Sequence, residues 1–194
     1  MDQFWLYFKL GLEHVLDMQA YDHVLFIVAL CAAYALSSWK RMLLLVTVFT
    51  LGHSVSLLLS NFDVVQVAAR WIEFLIPISI IATAIYNIAR AGAVASEAKK
   101  TLLYLITLFF GLIHGFGFAR YYNQINDERE IAPLLEFALG IETAQVIIVL
   151  GVLLLGFALK TMVRVSQRDW ILVVSALVLG MTLPMLIENW PFGA

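Results

Sequence analysis

Long runs without Asp, Glu, Lys or Arg recur along the chain, such as VLFIVALCAAYALSSW after His23 and LLLVTVFTLGHSVSLLLSNF after Met42. A helix of about 20 apolar residues crosses a bilayer core, and in lipid the backbone must satisfy its own hydrogen bonds. The composition agrees: 62% of the 194 residues are hydrophobic and 13% charged. Soluble domains are about 45–50% apolar and about 25% charged. With a mean hydropathy of +0.91, the chain reads as an all-α, polytopic membrane helix bundle forming a single integral membrane domain over residues 1–194.

Six spans are expected, at roughly 21–39, 41–60, 64–90, 101–119, 133–160 and 169–189. Residues 3–17 are short and charged. They read as an interfacial or half-buried helix leading into the first span, with a seven-span count as the alternative. The N-terminal MDQFWLYFK lacks a basic segment and is not read as a cleaved signal peptide. The one cysteine, Cys31, lies in an apolar run, which excludes a disulfide framework and a thiolate metal cluster. A net charge of -2 without a basic run gives no sign of nucleic-acid binding. The lipid bilayer is the expected surrounding, and a homo-oligomer is compatible with it.

Basic residues set the orientation. Lys40, Arg41, Arg90, Lys99, Lys100, Lys160, Arg164 and Arg168 follow spans 1, 3 and 5; the other face holds Lys9, Arg70, Arg120 and Arg129 among the acids Asp2, Asp63, Asp127, Glu128 and Glu130. Positive loops stay cytoplasmic. The expectation is a multi-pass protein of the bacterial inner membrane with both termini outside and YYNQINDEREIAP as the largest outer loop. Trp5, Trp39, Trp71, Trp170 and Trp190 fall near the expected interfaces.

On this topology Asp22, His23, His53, Glu73, His114 and Glu142 all come to the outer half of the bilayer, from five spans. An ionised side chain deep in a span costs about 2.5–3.5 kcal/mol on insertion scales, so such residues face inward and find partners. Here the partners are one another. A His/carboxylate set without Cys suits Ni, Co, Zn or Fe(II). These six are the expected metal ligands. Glu13, His14 and Asp17 form the entrance, with Ser54, Gln145 and Asn87 as supporting polar groups. Plainer roles also fit: Asp22 as a helix N-cap, Glu73 paired with Arg70, and Glu142 hydrogen-bonded to Gln145. Gly111 and Gly115 flank His114 in a GxxxG pattern that permits close helix approach, and Pro77 falls four residues after Glu73.

The segments GLEHVLDMQAYDHVLFIVAL, FTLGHSVSLLLS, WIEFLIPISIIATAIYN, FGLIHGFGFA and FALGIETAQ together resemble the HupE/UreJ family of small bacterial membrane proteins, over about residues 8 to 150. The resemblance implies a permease for nickel or a similar divalent ion. Nickel-permease members carry a His followed closely by an Asp-His pair; here His14 precedes Asp22-His23 at wider spacing. Their second His-Gly element is absent after His114-Gly115. The resemblance is therefore to the broader second branch of the family.

Two functions follow. One is a divalent metal-ion permease with an outer His/carboxylate site and an inner route past Thr47, Thr83, Asn87 and Thr107. The other is an intramembrane, zinc-type hydrolase at the outer leaflet, which needs three ligands, an open water position and a carboxylate base. A wet inner half favours the first; a sealed inner half with an outer opening favours the second.

Overall fold

A computed structural model describes residues 3–17, 21–92, 98–126 and 130–192, the side chains of 98–102 excepted. Asp2, Asp127, Glu128 and Arg129, and the side chains of Lys99 and Lys100, lie outside the described residues. The described residues form seven α-helices in chain order. They are α1 (Gln3–Leu16), α2 (Asp22–Ala32), α3 (Trp39–Asn61), α4 (Ala69–Arg90), α5 (Ala98–Ile125), α6 (Ala132–Ala158) and α7 (Gln167–Glu188). A 3-10 turn, Leu36–Ser38, leads into α3, and a π turn, Leu159–Val163, extends α6. Five helices, α3 to α7, are long and apolar enough to cross a membrane. They match the expected second to sixth spans, with α5 about two turns longer at its C-terminal end.

The expected first span divides. α2 stops at Ala32 after 11 residues, and the chain turns before Leu36. Gln3 Nε2 donates to Glu130 at 3.3 Å and Tyr7 Oη to the Ile125 carbonyl at 2.9 Å, so α1 begins at the end of the bundle where α5 ends and α6 starts. It then runs alongside α6 in the same direction until His14 meets Phe137. α2 continues that course. Its last carbonyls receive Asn87 Nδ2 at 2.6 Å (on Ala29) and Gln167 Nε2 at 3.4 Å (on Ala32), both at the opposite end of the bundle. At ~1.5 Å per residue the two helices add to about 37 Å, beyond the ~30 Å of a hydrocarbon core. α1 and α2 both pack along α6. The end holding Gln3 is called the N-terminal face below.

Glycines set the closest approaches. A Cβ on Gly11 would run into the Phe137 carbonyl and one on Gly140 into the Phe8 carbonyl, so α1 and α6 pack backbone to backbone. Likewise Gly111 abuts the Phe49 carbonyl, Gly52 the Leu108 carbonyl, and Gly115 the His53 carbonyl and Ser56 Oγ. The GxxxG around His114 thus lies where α5 meets α3, as expected of small residues at membrane helix contacts. At the start of α7, Ser166 caps the helix by accepting from Asp169 N at 3.0 Å. The five tryptophans lie within a few residues of helix ends.

Candidate metal centre

Four helices converge on one buried space, and each brings a histidine. His14 ends α1, His23 is in the first turn of α2, and His53 and His114 lie on the facing sides of α3 and α5. Ring centroids of His23 are 4.7 Å from His14, 5.8 Å from His53 and 4.9 Å from His114. Ligand nitrogens of His14, His23 and His53 all lie within 4.8 Å of one another. Imidazole nitrogens bound at 2.0–2.1 Å to a tetrahedral ion sit about 3.4 Å apart, so ligation draws any pair together by at most about 1.4 Å.

The ring nitrogens have an ordered division of labour. His23 Nδ1 donates to Asp22 Oδ1 at 3.0 Å, and Asp22 Oδ1 also accepts from His23 N at 2.8 Å. His114 Nδ1 donates to the Phe110 carbonyl at 2.9 Å. Both partners can only accept, so each Nδ1 carries a proton, and in the neutral ring each Nε2 presents a lone pair. Those two Nε2 atoms, His14 Nε2 and both nitrogens of His53 are buried without a hydrogen-bond partner. Leaving one buried polar atom unsatisfied costs about 1–3 kcal/mol. Three imidazoles, His14, His23 and His53, bring unpartnered nitrogens close together, with His114 beside His23; a nitrogen-ligating cation would satisfy them, and the Asp22–His23 pair has the carboxylate–histidine form that orients metal ligands.

Phenylalanines enclose the rings. Phe26, Phe49 and Phe110 each lie one turn from a cluster histidine on the side away from the N-terminal face. Phe26 packs at 5.3 Å from Phe49 and 5.4 Å from Phe110. They form an apolar floor under His23 and His114. Phe118 stacks on Phe137 at 5.1 Å, and its ring is 3.9 Å from His14. Beside His14 the cluster meets a cavity of about 560 Å³, lined also by Glu13, Asp17, Leu10, Phe118 and Tyr121. Two exposed carboxylates at this cavity favour an arriving cation; Glu13 is shared with Lys9 at 3.5 Å.

The structure brings together His23, His53 and His114 with Asp22 behind His23, and it moves His14 from the entrance into the cluster. Glu13 and Asp17 line the cavity beside it. Glu73 is apart. Ile72 and Ile76 are the buried residues of its turn, so Glu73, about 100° around the helix from Ile72, is exposed. Its expected partner Arg70 lies over the Trp71 ring at 5.2 Å instead. Glu142 is also apart: its oxygens take Thr47 Oγ1 at 2.5 Å and Thr50 Oγ1 at 2.6 Å, on the floor side of His53. Gln145 Oε1 is 3.0 Å from Thr50 Oγ1. Asn87 is spent on the Ala29 carbonyl, and Ser54 is half-buried beside His53. The buried hydroxyl near His53 is Ser56, which donates to the His53 carbonyl at 2.9 Å. On the expected inner route, Thr83 and Thr107 donate to carbonyls of their own helices, and Thr83 also lines a cavity of about 430 Å³ between α4 and α5. The phenylalanine floor escaped sequence reading. Its signal is there, a Phe three or four residues from each of His23, His53 and His114.

Fold and site define a polytopic membrane protein with a buried polyhistidine centre. The family model described as HupE / UreJ protein matches residues 1–189, and the chain belongs to that family, whose members are nickel/cobalt transport-related membrane proteins. Searches of curated proteins and of solved structures found no match.

Proposed function

We propose that the protein is a permease for a divalent metal ion of the nickel/cobalt class, with His14, His23, His53 and His114 as the transient binding site and Asp22 as the residue that holds His23. The observation that carries this reading is the convergence of His14, His23 and His53, from the last turn of α1, the first turn of α2 and α3, with unpartnered nitrogens, and His114 beside His23. Sites at interrupted helices inside a bundle recur in secondary transporters, where two helix segments can change their mutual angle around the ion. An all-nitrogen set suits Ni, Co and Zn. The cation enters past Glu13 and Asp17. With the basic loops on the cytoplasmic side, that entrance faces outward and both termini lie outside, in the inner membrane of a bacterium.

The floor of Phe26, Phe49 and Phe110 then marks a conformation open outward and closed inward, and inward release requires these rings to part. The same floor favours a second reading, an intramembrane zinc-type hydrolase whose substrate arrives at the outer opening, since an enzyme needs no inner exit. Family membership favours the permease. Uptake of Ni, Co and Zn into sealed proteoliposomes tests it. Saturable uptake abolished by His23→Ala is expected; stoichiometric bound metal with no uptake of any ion contradicts transport and leaves the hydrolase.

A further inference from the structure

Away from the histidines, α3 and α6 hold a second polar array that the metal centre does not use. Thr47 is exposed and Glu142 half-buried, in the apolar surroundings of two spanning helices. Two hydroxyl hydrogens there face five acceptor contacts. Thr47 Oγ1 lies 3.0 Å from the Leu43 carbonyl and 2.5 Å from Glu142 Oε1. Thr50 Oγ1 lies 3.1 Å from the Val46 carbonyl, 2.6 Å from Glu142 Oε2 and 3.0 Å from Gln145 Oε1.

The array is complete with or without one more proton. With Glu142 ionised, each threonine donates to one carboxylate oxygen, at the short O–H···O⁻ separations typical of charge assistance. With Glu142 protonated, its O–H donates to Thr50 Oγ1, and Thr50 turns its own hydrogen to the Val46 carbonyl or to Gln145. Thr47 keeps its bond to the other oxygen. Every oxygen of Glu142, Thr47 and Thr50 keeps a partner in either state, the property a group needs to load and unload a proton inside a membrane, while Gln145 Nε2 is buried without a partner.

We propose that Glu142, held by Thr47 and Thr50, is a proton-binding site distinct from the histidine centre, and that proton occupancy here and metal occupancy there oppose each other. Thr50 precedes His53 by three residues, about 4.5 Å along the α3 axis. A dication at the histidines therefore stabilises the carboxylate and expels its proton. The coupling is reciprocal by thermodynamic necessity. The groups on Glu142 are Thr47 and Thr50 from α3; Gln145 of α6 reaches it through Thr50. α1 and α2, which also pack on α6, carry His14, Asp22 and His23, none in hydrogen-bond or ion-pair contact with Glu142. Among the described residues no Lys or Arg is paired with it. The proton site stands on its own geometry, while the coupling rests on the metal reading above.

Dicyclohexylcarbodiimide, which adds to protonated carboxyls in apolar surroundings, tests both parts on the purified full chain, with the labelled residue located by mass spectrometry. Expected is labelling of Glu142 that rises as pH falls and drops about fivefold or more with saturating Co²⁺. Glu142→Gln removes this label and lowers the protons released per Co²⁺ bound, while Thr50→Val shifts the pH at which labelling appears. Absence of label on Glu142 at every pH overturns the proton site, as does protection by Na⁺ in place of protection by high pH. Labelling unchanged by Co²⁺ while Co²⁺ binds overturns the coupling. If Co²⁺ does not bind at all, the metal reading fails, and pH-dependent labelling of Glu142 still decides the proton site separately.

Discussion

Asp22 Oδ1 lies 3.0 Å from His23 Nδ1, and that contact fixes which nitrogen of the most central imidazole is free to ligate. Asp22→Asn keeps the size of the side chain. It removes the charge and admits an amide donor that favours the wrong tautomer. Removal of such an orienting partner costs about 10- to 100-fold in metal affinity. Equilibrium dialysis of the variant against Co²⁺ should show that loss with an unchanged helical circular dichroism spectrum. Undiminished affinity would mean that Asp22 serves only the start of α2.

On the proposed reading the centre binds cations through neutral imidazoles. Protons compete for the same lone pairs, so affinity falls on acidification and protons are released on binding. Metal titrations carried from neutral pH well into the acid range should show that decline together with proton release. Metal binding that releases no proton at any acid pH would contradict imidazole ligation.

Gly115 is expected to be intolerant of any side chain. A Cβ there meets Ser56 Oγ and the His53 carbonyl, so Gly115→Ala forces α5 away from α3 and moves His53 and His114 apart. Overpacking of this kind costs about 1–3 kcal/mol. Thermal unfolding in detergent should show a lowered midpoint together with weakened metal binding. Gly151→Ala, where nothing lies within 4 Å, should leave both unchanged.

Asn87 supports the end of α2 through its 2.6 Å bond to the Ala29 carbonyl, one of the four at that end without a helical partner. Asn87→Ala should lower stability by about 0.5–1.5 kcal/mol. Uptake per folded molecule should stay the same, since the residue touches no histidine of the centre. A selective loss of uptake at unchanged stability would restore Asn87 to an ion route.

Depth was legible in the sequence, and rotation was not. Hydropathy is linear along the chain, so the five long spans could be read directly. Which way a residue faces depends on which helix packs beside it. Glu73 and Glu142 have suitable depth, yet Ile72 and Ile76 of α4 take the bundle side, and Glu142 turns toward Thr47 and Thr50. The division of the first span was hidden for a different reason. The run from Val24 to Leu36 is uncharged and contains neither Gly nor Pro, so nothing local marks the turn after Ala32. The depth reached by α1 is set by a tertiary contact, Gly11 and Gly140 against the opposing backbones, and it is this contact that carries His14 into the centre.

X-ray absorption at the metal edge of protein loaded with one equivalent of Co²⁺ or Ni²⁺ tests the four-histidine centre most directly. The expected spectrum has a first shell of nitrogen near 2.0–2.1 Å with the multiple-scattering features of several imidazoles. Their number should fall in His53→Ala/His114→Ala. A first shell dominated by carboxylate oxygen, or a spectrum identical in wild type and double variant, would contradict the account.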